Sequence, residues 1–331
     1  MRYSQQLTRT ASRQVGLFRW PATTTVGTLT VLERRAAVLS RTQSCSTRDY
    51  IYGGARRTYA TVIDTAELLK KSSTASGSTA NTRRLSKKLW EKANVTTTEE
   101  GHRINLDKRT IKTSSGHPLI VPHDKTALAH LIVQEWATLP SLQIKPHSLP
   151  LTSLAARAID LAKDEESEAL REKIATHLLP YLDTDTMLIF APTQEYNGKL
   201  RQSQEEAYRP VIAWAEKTFF DGEKLNYSDG DQGLTGNCQS ETVRTKAKAW
   251  VMGLDVWQLT AFERAVLGGK SFLGGMQVVE KLVRTRELAE AVTLEVVYQM
   301  RRWGEVEDSH DVDWADLRRQ LGSAAVLLIE D

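Results

Sequence analysis

The densest group of side chains that could bind a metal ion lies late in the sequence. It comprises Glu307, Asp308, His310, Asp311 and Asp313. Carboxylate and imidazole groups are ligands for divalent ions, so this cluster would suit a metal-assisted hydrolase. No second histidine lies at helical spacing from His310, however, and carboxylates are also favourable beside the positive end of a helix dipole. We therefore predict that the cluster begins a helix at 311–329, and we keep the hydrolase as the alternative function.

Two other patterns resemble catalytic motifs only in part. The string Gly269-Lys270-Ser271 matches the end of a phosphate-binding loop, but Arg264 stands where that motif requires its first glycine. The pair Asp183 and Asp185 could serve as acid and base, yet aspartates at this spacing are more typical of turns and helix caps. We therefore predict a protein without catalytic residues, nucleotide or cofactor.

The cysteines add no chemistry. The sequence has two, Cys45 and Cys238, which form neither a CxxC zinc motif nor an obvious pair. We expect no disulfide and no structural metal.

One carboxylate could face another protein. Glu295 stands in a helical pattern among apolar residues, and an unpaired buried charge is unfavourable. It could form a buried pair with an arginine, lie at the edge of the apolar face, or be satisfied only in a complex. Tryptophans pose a similar choice between core and interface; the ones we single out are Trp136, Trp214, Trp250, Trp257 and Trp303. Four glycines, Gly268, Gly269, Gly274 and Gly275, predict either close packing of helices or a shallow groove for a client protein.

The elements that position these residues change type near His123. Short alternating segments separated by tight turns predict an antiparallel meander of four strands over 93–122. Apolar residues then recur at helical spacing, which predicts helices ending near Pro140 and Pro180, a helix after Pro150, and others at 194–219, 240–254, 256–282, 286–303 and 311–329. The predicted fold class is α+β, with a small antiparallel β-rich N-terminal domain followed by a larger α-helical C-terminal domain. The predicted segments are a leader at 1–59, a flexible linker at 60–84, the β-rich domain at 85–122 and the helical domain at 123–331.

Charge is distributed unevenly along the chain. Residues 1–60 carry ten arginines, no lysine and two acidic residues, a net charge of +8, whereas the remainder carries −5. A basic segment rich in Ser and Thr is typical of a mitochondrial transit peptide, and Arg57-Thr58-Tyr59-Ala60 resembles a processing site with cleavage after Tyr59. We therefore expect the leader to contact the import and processing machinery. A basic tail that binds RNA or lipid is the other interpretation of this segment.

The remaining chain excludes two classes of partner. A mildly acidic body lacks the broad basic surface that nucleic-acid binding usually needs. No run of eighteen apolar residues occurs, so we expect no stable membrane insertion.

Seven strings, in order, resemble one known family. They are Ile104–Arg109 with Lys112-Thr113, Glu135-Trp136, Pro150–Leu154 with Ala158–Asp160, Leu182–Thr186, Trp214–Glu216, Glu263–Val266, and Trp303–Asp308 with His310–Asp313. Together they resemble the mitochondrial assembly factor that chaperones the alpha subunit of the ATP synthase catalytic head. The likeness covers about residues 85–330.

The resemblance implies a function and a set of residues. It implies a mitochondrial matrix chaperone that binds the free alpha subunit, hides its beta-facing surface, and needs no ATP. It also implies a β-rich domain followed by a helical one. The candidate partner-binding residues that it implies are Trp136, Glu295, Trp303, Glu305, Glu307, Asp308 and Asp311.

Overall fold

A computed structural model describes residues 90–139, 147–233 and 236–331. The predicted leader at 1–59 and the predicted linker at 60–84 lie outside the described residues. The boundaries proposed for all four segments therefore remain predictions. Among the described helices, none combines the length and the apolar character needed to cross a bilayer.

The N-terminal elements form four antiparallel strands, as predicted, but not a simple meander, because the last strand pairs with the second instead of the third. The strands are β1 Ala93–Thr98, β2 Gly101–Leu106, β3 Arg109–Thr110 and β4 Ile120–Val121. Strand β2 is central, because it pairs with β1 along one edge and with β3 and β4 along the other. The turn from β1 ends at Gly101, whose φ of 139° suits glycine, and a Cβ there would lie 2.4 Å from the carbonyl oxygen of Val121.

The rest of the described chain is mostly helical, as predicted. The helices are α1 Thr126–Thr138, α2 Pro150–Lys163, α3 Ser167–Leu178, α4 Pro180–Asp183, α5 Lys199–Thr218, α6 Glu241–Gly253, α7 Val256–Gly269, α8 Phe272–Val279, α9 Thr285–Val292, α10 Leu294–Trp303 and α11 His310–Leu327. A short parallel pair, β5 Ile189–Phe190 and β6 Ser228–Asp229, lies between them in the sequence. The α+β class with its β-rich start is confirmed.

Two predicted helices were wrong, because each is divided into two. The segment 256–282 forms two helices, because Lys270 adopts a left-handed φ of 51° and Ser271 caps a new helix. The segment 286–303 also forms two helices, which meet at Thr293. Pro210, in contrast, does not break α5, since the helix continues through it.

One continuous apolar core joins the N-terminal sheet to the helices. A series of edge-to-face aromatic contacts leads into this core. It runs from the half-buried rings of Trp214, Phe219 and Trp250 to the buried rings of Phe262 and Phe272. Helix α8 lies close against α7, because a Cβ on Gly275 would come within 2.5 Å of Val266 and 2.8 Å of Phe262. At Gly275 the structure therefore favours the interpretation of close helix packing.

Candidate protein-docking site

Helix α10 lies on the surface of the helical body. None of its ten residues is buried. Four of them are apolar and are only half-buried: Leu294, Val296, Val297 and Met300. It contacts α5 through Tyr298, whose hydroxyl lies 2.8 Å from Ser203 Oγ and donates a hydrogen bond to the carbonyl oxygen of Lys199 at 3.1 Å. A helix with apolar side chains and no buried residue leaves apolar surface available to a partner.

The exposed apolar surface continues beyond the end of α10. Trp303, Val306 and Val312 are 47%, 59% and 54% exposed. They are three of the eight large apolar residues that are exposed in the described part of the chain, and they lie within ten positions of one another. We call the segment from Leu294 to Asp313 the docking strip.

Acidic side chains border this apolar surface. The exposed ones are Glu305, Glu307, Asp308, Asp311 and Asp313. The chain turns sharply before and within this set, at Gly304 with a φ of 90° and at Asp308 with a φ of 59°. Apolar area surrounded by polar groups is the usual arrangement of a protein-binding surface.

The same cluster begins a helix, as the sequence indicated. Asp311 and Asp313 lie in the first turn of α11. The His310 ring is engaged locally, because its Nδ1 accepts a hydrogen bond from the backbone N–H of Val306 at 3.0 Å. Throughout the described ranges, no three His, Cys, Asp or Glu side chains are grouped so that they could hold a metal ion. The metal-assisted hydrolase therefore has no geometric support in the described residues.

Glu295 lies near the start of α10 and is half-buried. It accepts a hydrogen bond from Gln299 Nε2, one helical turn later, at 2.8 Å. Of the three alternatives, this half-buried position favours the edge of the apolar face. Glu295 belongs to the docking strip, together with five of the other candidate residues: Trp303, Glu305, Glu307, Asp308 and Asp311.

Trp136 is separate from the docking strip, because it lies in the core. The side chain is completely buried on α1 and packs edge-to-face on Trp90 with ring centroids 5.3 Å apart. Its Nε1 donates to Thr152 Oγ1 at 3.1 Å. Trp136 therefore supports the body of the protein, and its burial prevents direct contact with a partner in this conformation.

The residue beside Trp136 has a role that the sequence did not reveal. The Glu135 carboxylate accepts hydrogen bonds from the backbone N–H groups of Leu151 and Thr152, at 2.7 and 2.9 Å, and from Thr152 Oγ1 at 2.7 Å. Burial raises the pKa of Glu135, and these hydrogen bonds oppose part of that rise. Glu135 thus caps α2 from α1, and no local pattern indicates a cap so distant along the chain.

The aspartate pair considered for catalysis is structural. Asp185 is completely buried and accepts hydrogen bonds from Met187 N, Ser271 Oγ and Leu273 N at 2.7–2.8 Å. Burial raises its pKa to about 6 despite these donors. Asp183 instead pairs with Arg244. The two carboxylates therefore have different structural partners.

The phosphate-loop resemblance has a structural explanation as well. Ser271 Oγ accepts a hydrogen bond from Gly274 N at 2.8 Å and so caps α8. The string Gly269-Lys270-Ser271 is therefore the junction between α7 and α8, not the interior of a single helix as predicted.

A turn next to the docking strip also escaped prediction. Tyr196, Asn197 and Gly198 are three consecutive left-handed residues, with φ values of 51°, 55° and 76°. They precede α5, which begins at Lys199, whereas the helix was predicted to begin at 194. The Asn-Gly dipeptide is a turn signal that could have indicated this start.

Comparisons with known proteins agree on one family. The model of the ATP12 chaperone protein family matches residues 87–216. Protein ATP12, mitochondrial, of Saccharomyces cerevisiae is 42% identical over 277 aligned residues, which cover 74% of this chain and 85% of that protein. Protein atp12, mitochondrial, of Schizosaccharomyces pombe is 40% identical over 230 residues, with 69% of this chain and 78% of that protein covered.

Solved structures give the same result for the fold. A point mutant of Atp12p from Paracoccus denitrificans superposes with a TM-score of 0.60 at 25% identity, and covers 73% of this chain and 97% of that one. A second structure of Atp12 from Paracoccus denitrificans has a TM-score of 0.60 at 24% identity, and the match covers 74% of this chain and 98% of that one.

The chain has an antiparallel β sheet joined to a helical body with an exposed apolar strip, and it matches a chaperone family model. These features define it as a protein of the chaperone class. More particularly, the chain belongs to the ATP12 chaperone family.

Proposed function

We propose that this protein is an assembly chaperone of the mitochondrial ATP synthase, and that it binds the unassembled alpha subunit of the catalytic head. The observation that carries the proposal is the docking strip, where a helix without buried residues leads into exposed Trp303, Val306 and Val312. Membership of the ATP12 chaperone family supports the chaperone class. The alpha subunit as client is what the sequence resemblance implies.

The physical basis is temporary burial of apolar surface. An alpha subunit without its beta neighbours exposes an apolar interface, and removing such surface from water is favourable by about 25 cal/mol per Å². The half-buried apolar side chains of α10 offer a matching surface. A client held in this way is released when the beta subunit competes for the same interface, so the cycle requires neither ATP nor a catalytic residue.

The candidate residues have different proposed roles. Trp303 supplies the largest exposed apolar group and is the proposed hot spot. The carboxylates Glu295, Glu305, Glu307, Asp308 and Asp311 form a polar rim that selects a client with complementary basic groups. Trp136 contributes indirectly, because it stabilises the α1–α2 junction.

The proposed location is the mitochondrial matrix. Both yeast relatives are named as mitochondrial, and the basic composition of residues 1–60 is typical of import. The proposed mature chain begins at Ala60. N-terminal sequencing of the protein from mitochondria tests this start, and a retained leader would instead favour the basic-tail interpretation.

Capture of the alpha subunit from matrix extract tests the proposed function. We expect the wild-type protein to recover alpha, and Trp303→Ala with Val306→Ser to reduce the recovery strongly. Leu282→Ala is the matched control, because Leu282 is 53% exposed but lies outside the docking strip. Background recovery of alpha by a folded wild-type protein would refute the proposal.

A further inference from the structure

The turn that precedes α5 holds its backbone in an unfavourable conformation. Tyr196 and Asn197 carry Cβ atoms and yet adopt left-handed φ values of 51° and 55°. Such a conformation is disfavoured for residues other than glycine, and it persists only where the surrounding structure enforces it.

The turn brings the Tyr196 side chain onto α10. Its ring packs edge-to-face on Tyr298 with centroids 5.5 Å apart, and on Trp303 with centroids 6.5 Å apart. The guanidinium of Arg302 lies over the same ring at 5.7 Å. Partial burial of the phenol raises the pKa of Tyr196. Three side chains of α10 therefore meet one residue of the turn.

Helix α10 depends on contacts of this kind. It has no buried residue, and the chain leaves helical geometry at both of its ends, at Thr293 and at Gly304. Its contact with α5 includes the hydroxyl of Tyr298, which lies beside Ser203 and Lys199. Since none of its residues is buried, the orientation of α10 depends on contacts made at the surface of the body.

We propose that Tyr196 is a positioning residue, and that the left-handed turn holds α10 and Trp303 in the orientation in which the docking strip meets its client. This inference rests on the proposed function for the identity of the client. A surface fixed before binding loses less conformational entropy on association, so preorganisation raises affinity without any new contact. Tyr196 itself would act through α10 rather than on the client.

Hydrogen exchange of the α10 amides in the free full-length protein tests the inference. Tyr196→Leu removes the aromatic contacts, and we expect amides of 294–303 to exchange about tenfold faster while those of α11 stay unchanged. Tyr196→Phe keeps the ring and should exchange within about twofold of wild type. Tyr227→Leu is the matched control, because Tyr227 is also partly exposed and packs in an edge-to-face pair away from the strip.

A second variant covers the case in which Tyr196→Leu fails to fold. Arg302→Gln removes the cation from the Tyr196 ring on an exposed residue, and should accelerate exchange of 294–303 about threefold. Wild-type exchange rates in a folded Tyr196→Leu, or in Arg302→Gln where Tyr196→Leu does not fold, would overturn the inference. Equal acceleration by Tyr196→Phe and Tyr196→Leu would overturn it too, since the ring would not be the positioning group.

Affinity for purified alpha subunit gives the second readout. We expect Tyr196→Leu to weaken binding about tenfold and Tyr196→Phe to restore it. Exchange needs no partner, so the two proposals can fail separately. Failure of the wild type to bind alpha would refute the proposed function, whereas altered exchange in Tyr196→Leu with unchanged alpha affinity would overturn the positioning role.

Discussion

Residue type alone does not show whether a tryptophan lies in the core or at the surface. Trp136 and Trp303 were both candidates for partner binding, but Trp136 is completely buried while Trp303 is 47% exposed. Both lie in helices rich in apolar residues, so composition does not separate them. Their difference arises from what packs on each helix, because α1 is covered by the β strands whereas no residue of α10 is buried.

Truncation of Trp303 should weaken client binding with little effect on folding. Its exposed ring contacts Tyr196 at the edge of the strip, so Trp303→Ala should raise the Kd for the alpha subunit about tenfold or more, as removal of an interface hot spot does. Calorimetric titration measures the Kd, and urea unfolding checks that stability is retained. An unchanged Kd would remove Trp303 from the interface.

Asp185 should make stability depend on pH in the acidic range. The pKa of Asp185 is about 6 in the folded protein, and we take the ordinary aspartate value of 3.8 for the unfolded chain. Between these two pH values the folded state therefore binds more protons than the unfolded chain. The free energy of unfolding should therefore fall as pH rises from about 4 to 6, by about 3 kcal/mol from this group, and then level off. Urea unfolding of wild type and Asp185→Asn across this range isolates the effect. A constant difference between the two proteins would contradict it.

At the scale of elements, close packing of α7 and α8 depends on a missing side chain. A Cβ on Gly275 would lie 2.5 Å from Val266 and 2.8 Å from Phe262, so Gly275→Ala should lower the free energy of unfolding by about 1–3 kcal/mol. Gly322→Ala in α11 is the matched control, because a Cβ added there would meet no neighbouring group within 4 Å. It should be neutral, or stabilising by up to about 1 kcal/mol. Equal effects in denaturant unfolding would refute the close-packing interpretation.

Local patterns predicted the elements better than their junctions. The strand alternation and the turn at Gly101 appear directly in the sequence, and the structure confirms them. The break at Lys270 does not, because a left-handed lysine has no local signal. It is fixed by Asp185, which contacts Ser271 and Leu273 from far along the chain.

The candidate site was predicted in part for the same reason. The string from Trp303 to Asp313 carries its acidic and apolar residues in one run, so sequence alone could indicate it as a unit. The contact of Tyr196 with α10 could not be predicted from the sequence, because about a hundred positions separate Tyr196 from the α10 residues it contacts. The cap that Glu135 forms on α2 could not be predicted either, because it also joins residues that are distant along the chain.

At the scale of the whole molecule, charge should govern how quickly the client is found. The rim of the docking strip carries exposed carboxylates at Glu305, Glu307 and Asp308. Raising the salt concentration from about 50 to about 500 mM should slow association with the alpha subunit and leave dissociation nearly unchanged, because rim charges act mainly during encounter. The triple variant Glu305→Gln, Glu307→Gln, Asp308→Asn should have a flatter salt dependence in stopped-flow association. An identical slope would show that the rim does not face the client.

Photo-crosslinking from a single position tests the central claim most directly. A photoreactive amino acid at Val306 lies within the docking strip, whereas one at Leu282 is similarly exposed but lies outside it. In matrix extract, we predict that the probe at Val306 forms a crosslink to the ATP synthase alpha subunit and that the probe at Leu282 does not. A crosslink from Leu282 alone, or none to alpha from either position in the folded protein, would contradict the account.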